Sequence, residues 1–104
     1  MNKDRIIELT NQLEEVTKLV TVAGTKPENL PDTKAIFQEL GTEIPHDRFL
    51  LSELGKAEKH MGSLTGWGTR YTRYRSAREC RISLRQLRRR AIGEDYGHGA
   101  DLAD

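Results

Sequence analysis

The chain has 104 residues, a length that predicts one small domain. Because 32% of the residues are charged and only 23 are Leu, Ile, Val or Phe, we expect a thin core that a partner could complete. No stretch approaches the roughly 18 consecutive apolar residues of a membrane span, and the single cysteine excludes an internal disulfide, so we expect a cytoplasmic, intracellular protein in a reducing environment. The net charge of +1 combines −3 over residues 1–69, +8 over residues 70–90 and −4 over residues 91–104, so the positive charge is concentrated in one segment.

The first predicted helix runs from about residue 3 to about residue 22. Asn2 or Asp4 is suited to accept from the free amides at its start, and Gly24 is suited to end it. Its apolar residues recur at alternating spacings of three and four, which is a heptad pattern on one helix face. They are Ile6, Leu9, Leu13, Val16 and Val20.

Two shorter helices are predicted next. One covers about residues 32–40 and is expected to end at Gly41. The other covers about residues 46–61, with Pro45 in its first turn and Gly62 at its end. Between the first two helices, a segment with two prolines predicts a loop.

The fourth predicted helix covers about residues 70–92. A capping-box pattern from Ser76 to Glu79 leaves open a second interpretation, in which the helix starts at Ala77 and residues 70–75 are extended. The apolar stripe of this helix again has heptad spacing. It consists of Ala77, Cys80, Leu84, Leu87 and Ala91.

The pattern as a whole predicts an all-α fold, a small bundle of about four helices within a single domain over residues 1–92. Residues 93–104 are acidic and rich in glycine, and we expect a flexible tail there. The heptad seams of the two long helices fit either a coiled-coil-like hairpin or a homodimer that pairs them across a two-fold axis.

The fourth helix carries all its positive charge as arginine. The guanidinium group is planar and presents a fork of donors, which suits phosphate and carboxylate groups and stacks on flat rings. Arginines spaced three or four residues apart repel one another, and only Glu79 offsets this within the helix, so we expect an anionic partner. The nine arginines are Arg70, Arg73, Arg75, Arg78, Arg81, Arg85, Arg88, Arg89 and Arg90.

Three aromatic residues, Trp67, Tyr71 and Tyr74, are interleaved with the first of these arginines. Flat rings beside guanidinium groups suit the bases and phosphates of nucleic acids, above all single strands and RNA. The alternative is that the rings, Trp67 in particular, pack as a cap over the thin core.

No catalytic, metal or cofactor site is expected, and neither is a small-molecule substrate. Cys80 lies on the apolar stripe, which favours a buried thiol over a nucleophile. His46, His60 and His98 are scattered, and their spacing with Cys80 does not fit a zinc site. The sequence therefore predicts a protein that is not an enzyme.

The first functional hypothesis is a small nucleic-acid-binding protein, regulatory or architectural, whose arginine helix contacts DNA or RNA. The alternative is a protein-interaction module whose arginine face meets an acidic protein surface. Such a module would be an adaptor, an assembly subunit or an inhibitor of a larger complex, of the kind that mobile genetic elements encode. A third interpretation is structural, with the arginines paired internally to acids of the first helix or of the tail. The first set is Asp4, Glu8, Glu14 and Glu15, and the second is Glu94, Asp95, Asp101 and Asp104.

Overall fold

A computed structural model describes residues 2–65 and 69–93. It confirms the all-helical prediction, with no strand among these residues. The described chain forms a short 3₁₀ turn at Pro27–Asn29 and four helices: α1 (Lys3–Thr21), α2 (Lys34–Glu43), α3 (Arg48–Leu64) and α4 (Arg70–Ile92). None of the described helices is both long and apolar enough to cross a membrane.

The start of α1 agrees with the sequence prediction. The Asn2 side chain accepts from the Arg5 backbone amide at 3.1 Å and so satisfies one of the free donors of the first turn. The helix ends at Thr21, and Gly24 then adopts a φ of +66°, a conformation that costs glycine little. The chain can therefore turn away from α1 directly after its last apolar stripe residue.

The ends of α2 and α3 differ from the prediction because other residues terminate these helices. Helix α2 continues through Gly41 to Glu43, and Ile44 is extended at φ −83° and ψ 148°, as expected for a residue that precedes a proline. Helix α3 begins after Asp47, whose carboxylate accepts from the amides of Phe49 and Leu50 at 2.8 and 3.2 Å, so Pro45 lies outside it.

Helix α4 begins at Arg70, so the alternative start at Ala77 was wrong. The Thr69 hydroxyl accepts from the Thr72 amide at 3.2 Å and caps the helix there. At the other end, Gly93 has a φ of +74°, and its amide donates to the Arg89 carbonyl at 3.1 Å. All nine arginines therefore lie on one continuous helix, whose length is about 34 Å at 1.5 Å per residue.

Helix α4 packs between α1 and α3, and α2 packs mainly against α1. Every residue of the two heptad stripes, one on α1 and one on α4, is no more than 6% exposed. The core of the single chain thus contains both seams, together with residues of α2 and α3 such as Leu40 and Leu54. A homodimer through these seams stays a prediction.

Candidate functional site

The nine arginines of α4 fall into four groups by the direction in which the helix presents them. The groups are Arg81, Arg85 and Arg88 against α1; Arg70 and Arg73 beside the end of α1; Arg90 against α3; and Arg75, Arg78 and Arg89 on the remaining side. The sequence-based hypothesis treated them as one surface, and the fold divides them.

The group against α1 forms a buried ionic network around Glu14, whose side chain is 8% exposed. Arg85 Nε lies 2.8 Å from one carboxylate oxygen, and Arg88 Nη1 lies 2.6 Å from the other. The Arg88 side chain is also only 8% exposed. Because both charges are withdrawn from water, the pairing is needed to offset the cost of burying them.

Hydroxyl and amide groups of α1 complete this network. Arg88 Nη1 lies 3.1 Å from Thr10 Oγ1 and 3.0 Å from Asn11 Oδ1. Arg81 Nη1 lies 3.3 and 3.4 Å from the hydroxyls of Thr17 and Thr21. The internal-pairing interpretation is therefore confirmed for Arg85 and Arg88, with Glu14 of α1 as their acidic partner. The acidic residues after residue 93 lie outside the described part of the chain.

Arg70 and Arg73 lie at the start of α4. Arg73 donates from Nε to the Leu64 carbonyl at 3.2 Å and from Nη2 to the Thr25 carbonyl at 2.9 Å. It thereby ties the end of α3 and the loop after α1 to α4. The Arg70 guanidinium lies 5.3 Å from the centroid of the Tyr74 ring and donates to the Tyr74 hydroxyl at 3.0 and 3.1 Å.

Arg90 faces the start of α3. Its guanidinium lies 3.6 Å from an Asp47 carboxylate oxygen and 5.3 Å from the centroid of the Phe49 ring. The backbone amides of Leu50 and Phe49, together with this cation, hold the pKa of Asp47 below its usual range. Asp47 therefore both caps α3 and pairs with α4.

We define the outward face of α4 as Tyr71, Arg75, Arg78, Ile82 and Arg89. Arg75 precedes the fully buried Leu84 by nine residues, which places it about half a turn from the core at roughly 100° per residue. Arg75 and Arg78 are exposed, and Tyr71 retains 74% of its accessible surface. This face presents guanidinium groups beside one accessible aromatic ring.

The other two predicted aromatic residues do not join the outward face. Tyr74 is partly buried and packs against the core, in line with the core-capping alternative. Trp67 lies outside the described residues. The aromatic contribution that the structure supports for this face is thus Tyr71.

Cys80 lies in the core, as its place on the apolar stripe predicts. The thiol is fully buried and donates to the Ala57 carbonyl at 3.4 Å. Burial raises its pKa to about 12, so the reactive thiolate is not formed near neutral pH. Within residues 2–65 and 69–93, no three His, Cys, Asp or Glu side chains are grouped so as to hold a metal ion.

The sequence did not distinguish among the acids of α1 as partners for the arginines, whereas in the structure Glu14 is the acid at the centre of the network. A positional signal was present, because Thr10, Glu14, Thr17 and Thr21 follow each other at helical spacing along one flank of the apolar stripe. The second role that was missed is that of Arg73, which binds backbone carbonyls. The pattern of side chains does not show which arginine will donate to a backbone carbonyl, because every residue has one.

Comparison of the chain with protein-family models, with curated proteins and with solved structures finds no match in any of the three.

Proposed function

We propose that the protein binds nucleic acid through the outward face of α4. The observation that carries the proposal is that Arg75 and Arg78 are exposed on α4 close to the exposed ring of Tyr71, while Arg89 is partly buried near the other end of the helix. From Tyr71 to Arg89 the face extends about 27 Å along the helix. That length allows contact with several consecutive phosphates of one strand.

The chemistry of this face suits a nucleic-acid backbone. Each guanidinium group offers a planar fork that matches two phosphate oxygens. Tyr71 offers a flat surface on which a base can stack, a contact that every base can make. The proposed activity is therefore non-enzymatic binding with little dependence on sequence, which suits a regulatory or architectural role.

The division of the arginines lowers the number of phosphate contacts that we expect. Three arginines on the outward face predict a log–log salt slope of about −3 for duplex DNA and about −2 for a single strand. A contact made by six arginines would instead give a slope of about −5 on duplex DNA. The slope thus reports whether the network around Glu14 stays closed in the complex.

The test is fluorescence anisotropy with a labelled duplex DNA and a labelled single-stranded RNA, each at several salt concentrations. The double variant R75E/R78E should lose at least about a hundredfold in affinity, because two charge-assisted contacts become repulsive. The matched control is K34E/K59E, which makes the same charge change at two exposed lysines on α2 and α3. Equal losses in the two variants would show that only total charge matters and would contradict the proposal.

A second candidate function is binding to an acidic protein surface. The observation that favours it is the presence of Ile82 and Tyr71 among the arginines, since a mixture of arginine with apolar and aromatic groups is typical of protein interfaces. Poly-glutamate of the same charge as the RNA probe distinguishes the two candidates. Tighter binding of poly-glutamate than of RNA at equal salt would favour the protein partner.

A further inference from the structure

A pocket of about 350 Å³ lies between the end of α1 and the start of α4. Its walls are formed by Val20, Gly24, Arg70, Arg73 and Tyr74. Open space surrounds the position that a side chain at Gly24 would occupy, so the pocket is not obstructed on that side. It lies apart from the outward face of α4, and the described residues that line it supply two guanidinium groups and no acid.

The two arginines of this pocket differ from Arg85, Arg88 and Arg90 in the nature of their partners. Arg85 and Arg88 contact a carboxylate of α1, and Arg90 contacts the carboxylate of Asp47, directly before α3. Among the described residues, the partners of Arg70 and Arg73 are neutral oxygens, those of a tyrosine and of two backbone carbonyls. Within the described chain, their positive charges are therefore not neutralised by a neighbouring side chain.

We propose that this pocket binds a phosphate monoester group. A guanidinium group has five N–H donors, and the carbonyl contacts of Arg73 use two of them, which leaves three for a ligand. The Tyr74 hydroxyl accepts from Arg70 and still has its own proton to donate. The pocket thus offers donors from three side chains to one anion.

Charge and size favour phosphate over carboxylate as the ligand. A phosphate monoester carries a charge of about −1.5 to −2 at pH 7, which matches two guanidinium groups, whereas a carboxylate would neutralise only one. The pocket has room for a tetrahedral anion and the first atoms of its ester group. Such a group is found at the phosphorylated end of a nucleic-acid strand and in small phosphate esters.

The proposal does not depend on nucleic-acid binding by the outward face, because inorganic phosphate alone can test it. The first experiment measures the midpoint of thermal unfolding and, by isothermal titration calorimetry, the affinity for inorganic phosphate. Chloride at equal ionic strength is the reference in both measurements. The variant Arg70→Gln should weaken phosphate binding by about tenfold or more, as expected for a lost charge-assisted contact. Arg70 is exposed, and its hydrogen bonds within residues 2–65 and 69–93 go to Tyr74, so this variant is expected to fold.

The matched control is Arg48→Gln, which removes the same charge from an exposed arginine of α3 outside both the pocket and the outward face. It should bind phosphate as the wild type does. A further variant, Tyr74→Phe, keeps the ring and removes only the hydroxyl donor, and it should weaken phosphate binding by a smaller factor. Equal phosphate affinity in the wild type and Arg70→Gln, or no effect of phosphate beyond that of chloride, would overturn the proposal.

A second experiment distinguishes the source of the phosphate group. Two oligonucleotides of identical sequence, one with a 5′-phosphate and one with a 5′-hydroxyl, are titrated against the wild type and Arg70→Gln. A preference for the 5′-phosphate that disappears in the variant supports the pocket and assigns it to strand ends. Binding of inorganic phosphate without such a preference supports the pocket and assigns it to small phosphate esters. Binding of both oligonucleotides without any effect of inorganic phosphate would refute the pocket and leave the outward-face proposal standing.

Discussion

The buried carboxylate of Glu14 offers the most direct test of what joins α1 to α4. Its two oxygens accept from Arg85 and Arg88 at 2.8 and 2.6 Å, and both Glu14 and Arg88 are almost fully buried. Replacement of Glu14 by Gln keeps the size of the side chain but removes the charge and turns one acceptor into a donor. The buried Arg88 guanidinium and the partly buried Arg85 guanidinium then lose the negative charge of Glu14.

Breaking a buried ion pair in this way costs about 3–5 kcal/mol. That is a large part of the roughly 5–15 kcal/mol by which a domain is stable, and it corresponds to a fall in Tm of about 12 °C or more. We expect urea unfolding of Glu14→Gln, followed by circular dichroism at 222 nm, to show this loss in the free energy of unfolding.

The neighbouring residue provides the control. Glu15 is 71% exposed at its side chain and has one surface contact, to Lys18 at 3.3 Å, so Glu15→Gln should cost less than about 1 kcal/mol. If Glu14→Gln costs no more than Glu15→Gln, the network contributes nothing beyond a surface pair. The packing of the two apolar stripes would then be what holds α1 against α4.

Three further predictions concern local structure. Gly55 lies within α3 with open space around it, so Gly55→Ala should raise the free energy of unfolding by about 0.5–1 kcal/mol. Gly93 has a φ of +74°, so Gly93→Ala should lower the free energy of unfolding by about 1–2 kcal/mol. Urea unfolding measures both changes. Cys80 should not react with a thiol reagent at pH 8 in the folded protein and should react fully in denaturant, and rapid reaction without denaturant would contradict its burial. Because the folded-state pKa of Asp47 is depressed, its stabilising effect is present above the unfolded pKa of about 4 and is lost as pH falls through the folded value. Asp47→Asn, which can still cap α3, should therefore lose less stability than the wild type between about pH 4 and pH 2, as thermal unfolding at several pH values would show.

The helices themselves could be predicted from the sequence because each apolar stripe repeats at helical spacing over several turns. The end of α4 was predicted closely, since the apolar stripe extends to Ala91, whereas its start was left open between residue 70 and Ala77. The ends of α2 and α3 were harder to predict. Helix α2 continues past Gly41 and ends before Ile44, the residue that precedes a proline. Helix α3 continues past Gly62 to the buried Leu64. Glycine alone therefore does not terminate a helix whose following residues still pack.

The sequence predicted that arginines would supply the chemistry of the candidate site, but not that the fold would direct them to different sides of α4. A run of arginines at spacings of three and four covers most of a helix surface, and the sequence does not show which flank another helix will cover. Arg81, Arg85 and Arg88 lie on the flank that packs against α1, and Arg75 lies opposite the core. Which flank is covered depends on how α4 lies between α1 and α3, and this arrangement involves residues more than 70 positions apart.

The position of α4 also has a consequence for biosynthesis. It is the last of the four helices to emerge from the ribosome, yet α1 and α3 both pack against it. At a synthesis rate of about 5–20 residues per second, several seconds pass between the synthesis of α1 and that of α4, which covers the apolar stripe of α1. During that interval the nascent chain presents an uncovered apolar surface of the kind that chaperones bind. Folding of this domain is therefore expected to be completed only after translation has passed α4, and nascent chains that stop before α4 should be prone to aggregation.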